Sequence, residues 1–376
     1  MSIYLDCNAT TPIGPAVEKE VIKYLGEEFG NAGSRTHDYG VRAKQAVQNA
    51  RDRIAEVVKA DRDEIIFTSG ATESNNIVIL GLAEYGKESG KKHIISTEIE
   101  HKAVLEPLEY LSKNGFQITF IPPDNAGLVR PEKFQKALRD DTLLVSVMHV
   151  NNETGVIQPI TEIAERLRNH TAYFHVDAAQ GFGKNLKTLQ NPHIDLISIS
   201  GHKIYGPKGI GALVTRRRGY KRVPLKPLMY GGGQERGLRP GTLPVHLIVG
   251  LGHAAECAKK NYELWFHTCK IFKDKLLKSL DRVDHIINGN QEMALPNVLS
   301  VAFPGVDSEA VIVALKDKIA ISNGSACTSQ TYGPSHVLKA MNVDDSVIQS
   351  TVRLSWCHMT EDVDWDEIVT IIKSLI

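Results

Sequence analysis

Apolar, strand-like runs alternate with amphipathic helical stretches through the first two-thirds of this 376-residue chain, and this alternation constrains its fold most strongly. Repeated βα units predict an α/β fold in which helices cover both faces of a mostly parallel central sheet. Ligands of such sheets bind beyond the carboxyl ends of the strands. The predicted strands are Glu64–Thr68, His93–Ser96, Gln117–Ile121, Leu143–His149, Tyr173–Asp177, Ile194–Ser200 and Gly211–Thr215. The predicted helices lie near Val41–Val58, Ser74–Tyr85, Ala103–Ser112, Pro131–Leu138 and Ile160–Arg168.

The pattern changes near Cys257, where a long helical segment is predicted. Beyond that segment we predict strands at Asn297–Ala302 and Thr351–Ser355 and a helix near Ser308–Asp317, which indicates a smaller α+β domain. We assign residues 14–256 to a large domain and residues 1–13 together with 257–376 to the small one.

The composition excludes several classes of protein. Lysine plus arginine equals aspartate plus glutamate at 44 each, so no overall field attracts nucleic acid or an anionic membrane. The N-terminus lacks the features of a signal peptide, and no apolar run is long enough to span a bilayer. The cysteines have no C-x-x-C spacing, which argues against a disulfide framework or a zinc site and for a reducing, cytoplasmic location. We expect no metal.

The segment Ser200–Gly206 follows the apolar run Ile194–Ile199 and contains a lysine, Lys203. Burying an ammonium is costly, so in an apolar site the pKa of a lysine falls and its neutral amine becomes a nucleophile toward aldehydes. This predicts a Schiff base with pyridoxal phosphate. Taken alone, a lysine in a turn is more often simply solvated.

Two other strand ends carry groups that this cofactor requires. In Phe67–Asn75 a strand turns into a helix, and the free N–H groups and hydroxyls there predict a phosphate site, although an ordinary helix cap also explains them. Asp177 ends a buried strand, where a pyridinium N–H would be a suitable partner for its carboxylate. A capping role for Asp177 is the alternative. Gln180 is placed to donate to the phenolic oxygen of the cofactor.

Further polar segments have less specific patterns. His101 follows the strand His93–Ser96, where an imidazole can stack on a flat ring and move protons. Met148–Gly155 ends a strand in polar side chains, which a turn also explains. The glycine-rich segment Gly231–Thr242 does not fit a P-loop and allows close approach of a ligand or a partner subunit. Arg216–Arg222 is interpreted as a solvated basic loop, with a docking patch for an acidic partner as the alternative.

Cys327 lies in Ser322–Gln330, among small polar residues that predict an exposed thiol rather than a core cysteine. A thiol with a pKa near 8.5 is only a few per cent ionised at neutral pH, so a nucleophilic role needs local assistance. Without the other segments, an incidental surface thiol is the simpler interpretation.

Together these segments resemble the cysteine desulfurases, which are class-V, fold-type I enzymes dependent on pyridoxal phosphate. The motifs T-S-G-A-T-E-S, H-V-N-N-E, H-V-D-A-A-Q, S-G-H-K-I-Y-G-P-K-G and G-S-A-C-T occur in the family's order and spacing. The resemblance extends from Leu5 to Ser355. It implies a homodimer whose large domain binds the cofactor and whose small domain carries the nucleophilic cysteine loop.

The resemblance also implies individual roles. Lys203 would form the Schiff base and act as the base, and Cys327 would be the sulfur-accepting nucleophile. Around the cofactor ring, His101 would stack on the face, Asp177 would pair with the ring nitrogen and Gln180 would contact the phenolate oxygen. The cofactor phosphate would be bound by Thr72, Ser200 and His202; Ala71, next to Thr72, would also bind the cofactor, and Thr242 would reach it from the other subunit. Asn152 and Arg353 would bind the carboxylate of the substrate.

The implied reaction converts L-cysteine to L-alanine and leaves a persulfide on Cys327 for an acceptor protein in iron–sulfur, tRNA-thiolation or DNA-phosphorothioation metabolism. Two features are similar to those of the desulfurases that serve DNA phosphorothioation. They are the segment Gly233–Thr242 and the short stretch after the last helical segment. Cys7 departs from the tyrosine or asparagine that the family often has there, and we interpret it as structural. The alternatives are a selenocysteine lyase, a cysteine-sulfinate desulfinase, or a non-catalytic subunit that recruits partners.

Overall fold

A computed structural model of the chain describes residues 2–323 and 333–376, and its strands form three sheets. The largest has seven strands in the order β2-β8-β7-β6-β5-β3-β4. The strands are β1 (Ile3–Tyr4), β2 (Ile65–Thr68), β3 (His93–Thr97), β4 (Gln117–Ile121), β5 (Thr142–Met148), β6 (Tyr173–Asp177), β7 (Leu196–Ser200), β8 (Gly211–Thr215), β9 (Ile286–Asn288), β10 (Val298–Ala302), β11 (Ile319–Ala320) and β12 (Thr351–Ser355).

Helices cover both faces of this sheet and build much of the rest of the chain. They are α1 (Pro15–Gly26), α2 (Asp38–Val58), α3 (Ala71–Gly81), α4 (Ala83–Ser89), α5 (Lys102–Lys113), α6 (Pro131–Ala137), α7 (Ile160–Leu167), α8 (Leu186–Leu189), α9 (Val245–Leu280), α10 (Ser308–Leu315), α11 (His336–Ala340), α12 (Asp345–Gln349) and α13 (Trp365–Lys373). Among the described residues, no helix combines the length and apolarity needed to cross a membrane. The cytoplasmic location stays a prediction.

The predicted α/β fold with a mostly parallel sheet is confirmed. Strands β4, β3, β5, β6 and β7 pair in parallel, whereas β8 is antiparallel to both β7 and β2. Successive residues of a strand point to opposite faces, so a strand with helices on both sides needs apolar residues throughout. Leu144 and Val145 of β5 show this, since both are fully buried but enter different cores.

Two smaller sheets lie outside the large one. Strands β12, β10 and β9 form an antiparallel sheet, and β1 pairs in parallel with β11. Leu5 and Trp356 are buried with residues of α9, α10 and α13 in a separate core. The predicted domain division places residues 1–13 with this second core and stays a prediction. Its boundary at 256/257 falls inside the continuous helix α9.

The interpretation of Arg216–Arg222 as a solvated loop is wrong at its first residue. Arg216 follows β8, is buried, and donates hydrogen bonds to the carbonyl groups of Val58, Leu189 and Ile194. Burial lowers its pKa to about 10. The guanidinium therefore provides hydrogen-bond donors for carbonyl groups at the ends of α2 and α8 and just before β7. The basic run in the sequence does not reveal this role.

Candidate active site

The carboxyl ends of the central parallel strands surround a cavity of about 650 Å³. Its wall is completed by the N-terminal segment at Asn8–Thr10. The predicted site residues that line it are Ala71, Thr72, His101, Asn152, Asp177, Gln180, Ser200, His202 and Lys203. Residues from five separate segments of the chain therefore face one space of a size suited to a small-molecule ligand.

Lys203 ends a short 3₁₀ turn that begins directly after β7. Its ammonium donates to the carbonyl oxygens of Asn8 and Ala9, in the latter case over 2.7 Å. The turn is tightly folded, because a Cβ at Gly206 would lie 2.8 Å from the carbonyl oxygen of Gly201. The amine is thus held at the cavity by a segment almost 200 residues away, and sequence analysis did not anticipate this contact.

Asp177 ends β6 and is only 5% exposed. Its Oδ2 accepts a 2.7 Å hydrogen bond from Nδ2 of Asn75, and its Oδ1 accepts a 2.9 Å bond from the backbone N–H of Ala179. The two N–H donors hold both oxygens of the carboxyl group in a fixed orientation. The cavity therefore has a fixed negative group on one wall, as a protonated ring nitrogen requires.

Asn75 lines the cavity, although no role was predicted for it within the segment Phe67–Asn75. Its side chain is fully buried in α3, and its Oδ1 has no hydrogen-bond partner within the described part of the chain. The signal was present in the T-S-G-A-T-E-S segment, which Asn75 directly follows. Only the long-range contact with Asp177 shows its purpose, which is to orient the carboxylate.

The amino end of α3 and the turn after β7 form one end of the cavity. Ala71 and Thr72 begin α3, where backbone N–H groups have no partner within the helix. Ser200 and His202 lie opposite, and a Cβ on Gly70 would be 3.9 Å from Oγ of Ser200. Burial, with Lys203 and Lys208 nearby, lowers the pKa of His202 to about 4. A neutral imidazole can still donate a hydrogen bond to a phosphate oxygen.

His101 caps the amino end of α5, and its Nδ1 accepts a 3.0 Å hydrogen bond from the backbone N–H of Ala103. This contact assigns the ring proton of the neutral form to Nε2. The neighbouring Glu100 is fully buried, and burial raises its pKa to about 8. At neutral pH Glu100 is therefore mostly uncharged.

Arg353 and Asn152 are brought together beside the cavity. Arg353, in β12, is 1% exposed and donates to the carbonyl oxygen of Asn152 over 3.1 Å. Its Nη2 also pairs with Oδ1 of Asp6 at 2.7 Å. Asp6, to which the sequence analysis gave no role, thus holds the predicted carboxylate-binding arginine, and a substrate carboxylate would have to share that guanidinium.

Of the predicted site residues in the described part of the chain, Arg353 and Thr242 do not line this cavity. Thr242 is exposed on the surface, away from the lining. Cys327 lies outside the described residues. The chain on its N-terminal side is anchored next to Arg353, since Ser322 pairs with that residue's backbone and donates to Asp6 over 3.0 Å. On its C-terminal side, Ser335 donates to Glu153 over 2.6 Å.

The residues present fit pyridoxal phosphate. The cofactor needs an amine for its aldehyde, an anionic partner for its ring nitrogen and donors for its phosphate. Lys203, buried Asp177 and the amino end of α3 supply these three groups around one cavity. A cavity that carried only one of them would not distinguish this cofactor from other anions.

Comparison with known proteins gives the same picture. The model of the family "Aminotransferase class-V" matches residues 3–367. The chain is 46% identical to the cysteine desulfurase IscS of Vibrio campbellii over 369 residues, covering 97% of this chain and 90% of that protein. Among solved structures, a NifS-like protein superposes with a TM-score of 0.91 at 37% identity, covering 100% of this chain and 99% of that one. DndA from Streptomyces lividans superposes with a TM-score of 0.83 at 50% identity, covering 93% and 98%.

Proposed function

Since the chain belongs to the class-V aminotransferase family and is a pyridoxal-phosphate-dependent cysteine desulfurase, we propose that Lys203, Asp177 and Cys327 carry out the separate parts of its reaction. Lys203 binds the cofactor and moves the substrate proton, Asp177 holds the proton of the ring nitrogen, and Cys327 takes the sulfur. The observation that supports this most directly is the convergence of Lys203 and Asp177 on one cavity.

When bound, pyridoxal phosphate draws electrons from the Cα of the substrate into its ring, which makes the Cα proton acidic. Nζ of Lys203 would hold the aldehyde carbon of the cofactor, and as a free amine it would accept the Cα proton of L-cysteine. The carbonyl groups of Asn8 and Ala9 orient this amine. The Asp177 carboxylate, which Asn75 and Ala179 hold, keeps the ring nitrogen protonated.

The opposite ends of the cofactor and the substrate need anion sites. The backbone N–H groups of Ala71 and Thr72, with Ser200 and His202, bind the phosphate. Arg353 binds the substrate carboxylate, with Asn152 beside it. His101 covers the ring, and Gln180 donates to the phenolic oxygen. One anion site would thus hold the cofactor phosphate and the other the substrate carboxylate.

The thiolate of Cys327 attacks the sulfur of the substrate, and the Cβ–S bond breaks. The products are L-alanine and a persulfide on Cys327, so one sulfur atom moves, and two protons end on carbon: the one taken from Cα and the one from the thiol of the substrate. The anchored residues on either side support this role, because Ser322 lies beside Arg353 and Ser335 beside Glu153. The described residues on both sides of Cys327 are therefore linked to neighbours of Asn152, which lines the cavity.

Incubation with one equivalent of L-cysteine without reductant, followed by alkylation and peptide mapping, tests this assignment. We expect Cys327 to carry the extra sulfur and the half-buried Cys257 to carry none, because only Cys327 is proposed to reach the substrate. Lys203→Ala protein is the matched control and should gain no sulfur at any cysteine. Sulfur that accumulates on another cysteine of the wild-type protein would contradict the assignment.

We also propose a homodimer. Leu228, Met229 and Tyr230 form a consecutive exposed run, with Tyr230 89% exposed, just before the glycine-rich segment that contains Thr242. Three large apolar side chains in succession are costly to leave in water and are typical of a protein interface. The exposure of Thr242 fits a residue that contacts the cofactor of the other subunit.

Tyr230→Asp tests the homodimer, because it places an uncompensated charge in the proposed interface. We expect the wild-type protein to sediment as a dimer and the variant to dissociate at least tenfold more readily. Tyr110→Asp is the control, since Tyr110 is 59% exposed but belongs to α5 and not to this run. Dissociation in both variants, or in neither, would place the interface elsewhere.

For the acceptor we favour the DNA-phosphorothioation pathway, with a protein that takes the sulfur from Cys327. The support is the segment Gly233–Thr242 and the 50% identity with DndA, compared with 46% for the IscS relative. Transfer of radiolabelled sulfur from the loaded protein to purified acceptors of each pathway tests this. Preferred transfer to an iron–sulfur scaffold would contradict it.

A further inference from the structure

Three buried cysteines lie together behind the wall of the cofactor cavity. Cys7, Cys269 and Cys357 are 2%, 4% and 4% exposed. Cys7 and Cys357 pack with Tyr205 in one small cluster, against which Trp265 and Met359 also pack. None of the three has a part in the reaction proposed above.

The backbone brings Cys7 and Cys357 to each other. The N–H of Cys7 donates to the carbonyl of Ser355 over 2.9 Å, and Asp6 pairs in parallel with Ser355. Cys357 follows two residues after that strand ends. The two thiols consequently lie within hydrogen-bonding reach of one another.

The surroundings make the two thiols unequal. The hydrogen bond from Cys7 lowers the pKa of Cys357, and the hydroxyl of Thr360 and the nearby Lys184 act in the same direction. The same hydrogen bond raises the pKa of Cys7. The hydroxyl of Thr360 donates to Sγ of Cys357 over 3.7 Å, so Cys357 is the better placed of the two to attack and Cys7 to resolve.

Access to this cluster is narrow. A cavity of about 20 Å³ is bordered by Lys184, Tyr205, Trp265 and Cys269. A space of this size holds about one water-sized molecule. The cavity shares Tyr205 with the cluster but is not lined by Cys7 or Cys357, so an oxidant that reaches the pair past Tyr205 has to be as small as hydrogen peroxide and cannot be a larger disulfide such as oxidised glutathione.

The cluster is linked to the cofactor cavity through Asn8, the residue after Cys7. The carbonyl of Asn8 accepts hydrogen bonds from Lys203 and, over 2.9 Å, from Gln180. The N–H of Asn8 donates to Oγ of Ser355 over 2.9 Å. A displacement of Cys7 would therefore shift the carbonyl that holds the Lys203 amine.

We propose that Cys7 and Cys357 form a redox-active pair that hydrogen peroxide closes to a reversible disulfide. The Cys357 thiolate attacks one peroxide oxygen, which gives a sulfenic acid on Cys357 and releases hydroxide. The Cys7 thiol then attacks the sulfenic sulfur, the disulfide forms, and water leaves. In all, two thiols and one peroxide yield one disulfide and two waters, with the sulfurs oxidised and the peroxide reduced.

Closing the disulfide draws the two sulfurs closer than a hydrogen bond does, so Cys7 and Asn8 must move. This second consequence rests on the proposed role of Lys203. It predicts that oxidation changes the visible absorption of the bound cofactor and that a thiol reductant restores it. The formation of the disulfide itself does not depend on that role.

The test uses full-length holoenzyme carrying Cys327→Ser, so that the proposed catalytic thiol does not react. After treatment with hydrogen peroxide, remaining thiols are alkylated and peptides are mapped with and without reductant. We expect one cross-linked peptide pair containing Cys7 and Cys357 that reductant separates. It should be lost with Cys7→Ser and also with Cys357→Ser, and it should persist with Cys257→Ser, the matched control outside the cluster.

The remaining outcomes contradict the proposal. A cross-link through Cys269 or Cys257 would overturn it. It would also be overturned if Cys7 and Cys357 were both still fully alkylated under conditions that had oxidised Cys257. A Cys7–Cys357 cross-link with an unchanged cofactor spectrum would overturn the link to Lys203 alone. If the cross-link forms but Lys203→Ala leaves turnover intact, the proposed function fails and the redox pair stands.

Discussion

Replacement of Lys203 by alanine is expected to abolish both turnover and the visible absorption of the bound cofactor. Nζ of Lys203 has two tasks in the proposed mechanism, namely to hold the aldehyde carbon and to accept the Cα proton. Loss of a positioned general base alone lowers rates by about 10²- to 10⁴-fold. We therefore expect L-alanine formation to fall by about 10³-fold or more, measured by amino-acid analysis after incubation with L-cysteine.

Lys187→Ala is the matched control for this variant. Lys187 is exposed in α8 and does not line the cavity, so its replacement should leave the absorption and the turnover unchanged. Thermal unfolding of both apoproteins separates a loss of chemistry from a loss of folding. A Lys203→Ala protein that keeps the absorption band and the wild-type rate would show that another amine holds the cofactor.

Asp177→Asn is expected to have the second-largest effect. The substitution keeps the shape of the side chain but removes the charge that pairs with the ring nitrogen. A hydrogen bond to a charged group contributes about 1.5–3 kcal/mol, which corresponds to a loss of roughly 10- to 150-fold in kcat. We expect the cofactor still to bind, because the anion site at α3 and the amine of Lys203 remain.

The readout for Asp177→Asn is kcat for alanine formation together with the visible absorption of the holoenzyme. A fall in kcat with an absorption band still present supports an electronic role for the carboxylate. Asp140→Asn, at an exposed position after α6, is the control and should behave like the wild-type protein. A wild-type kcat in Asp177→Asn would contradict the pairing with the ring nitrogen.

The sequence predicts the central sheet well because local patterns determine it. Gln117–Ile121, Tyr173–Asp177 and Gly211–Thr215 are strands with the predicted bounds. The prediction of one continuous helix at Ser74–Tyr85 was wrong, because two helices occupy this stretch: α3 ends at Gly81 and α4 begins at Ala83. Helix α1 was missed.

The site was predictable only in part, for a physical reason. The type of each reactive group can be inferred from its position at a strand end, as for Asp177 and Lys203. Its supporting contacts come from residues distant in the chain, as when Asp6 pairs with Arg353 or Asn75 orients Asp177. Periodicity carries no information about such contacts, because each depends on how two elements pack in space.

The most direct test of the account is L-alanine release from L-cysteine by the wild-type protein and by Cys327→Ala under reducing conditions. We expect alanine formation to require Cys327, whereas the absorption of the bound cofactor does not. The variant should therefore remain coloured and release no alanine. Equal alanine formation by the two proteins would remove Cys327 from the mechanism and contradict the proposed division of roles.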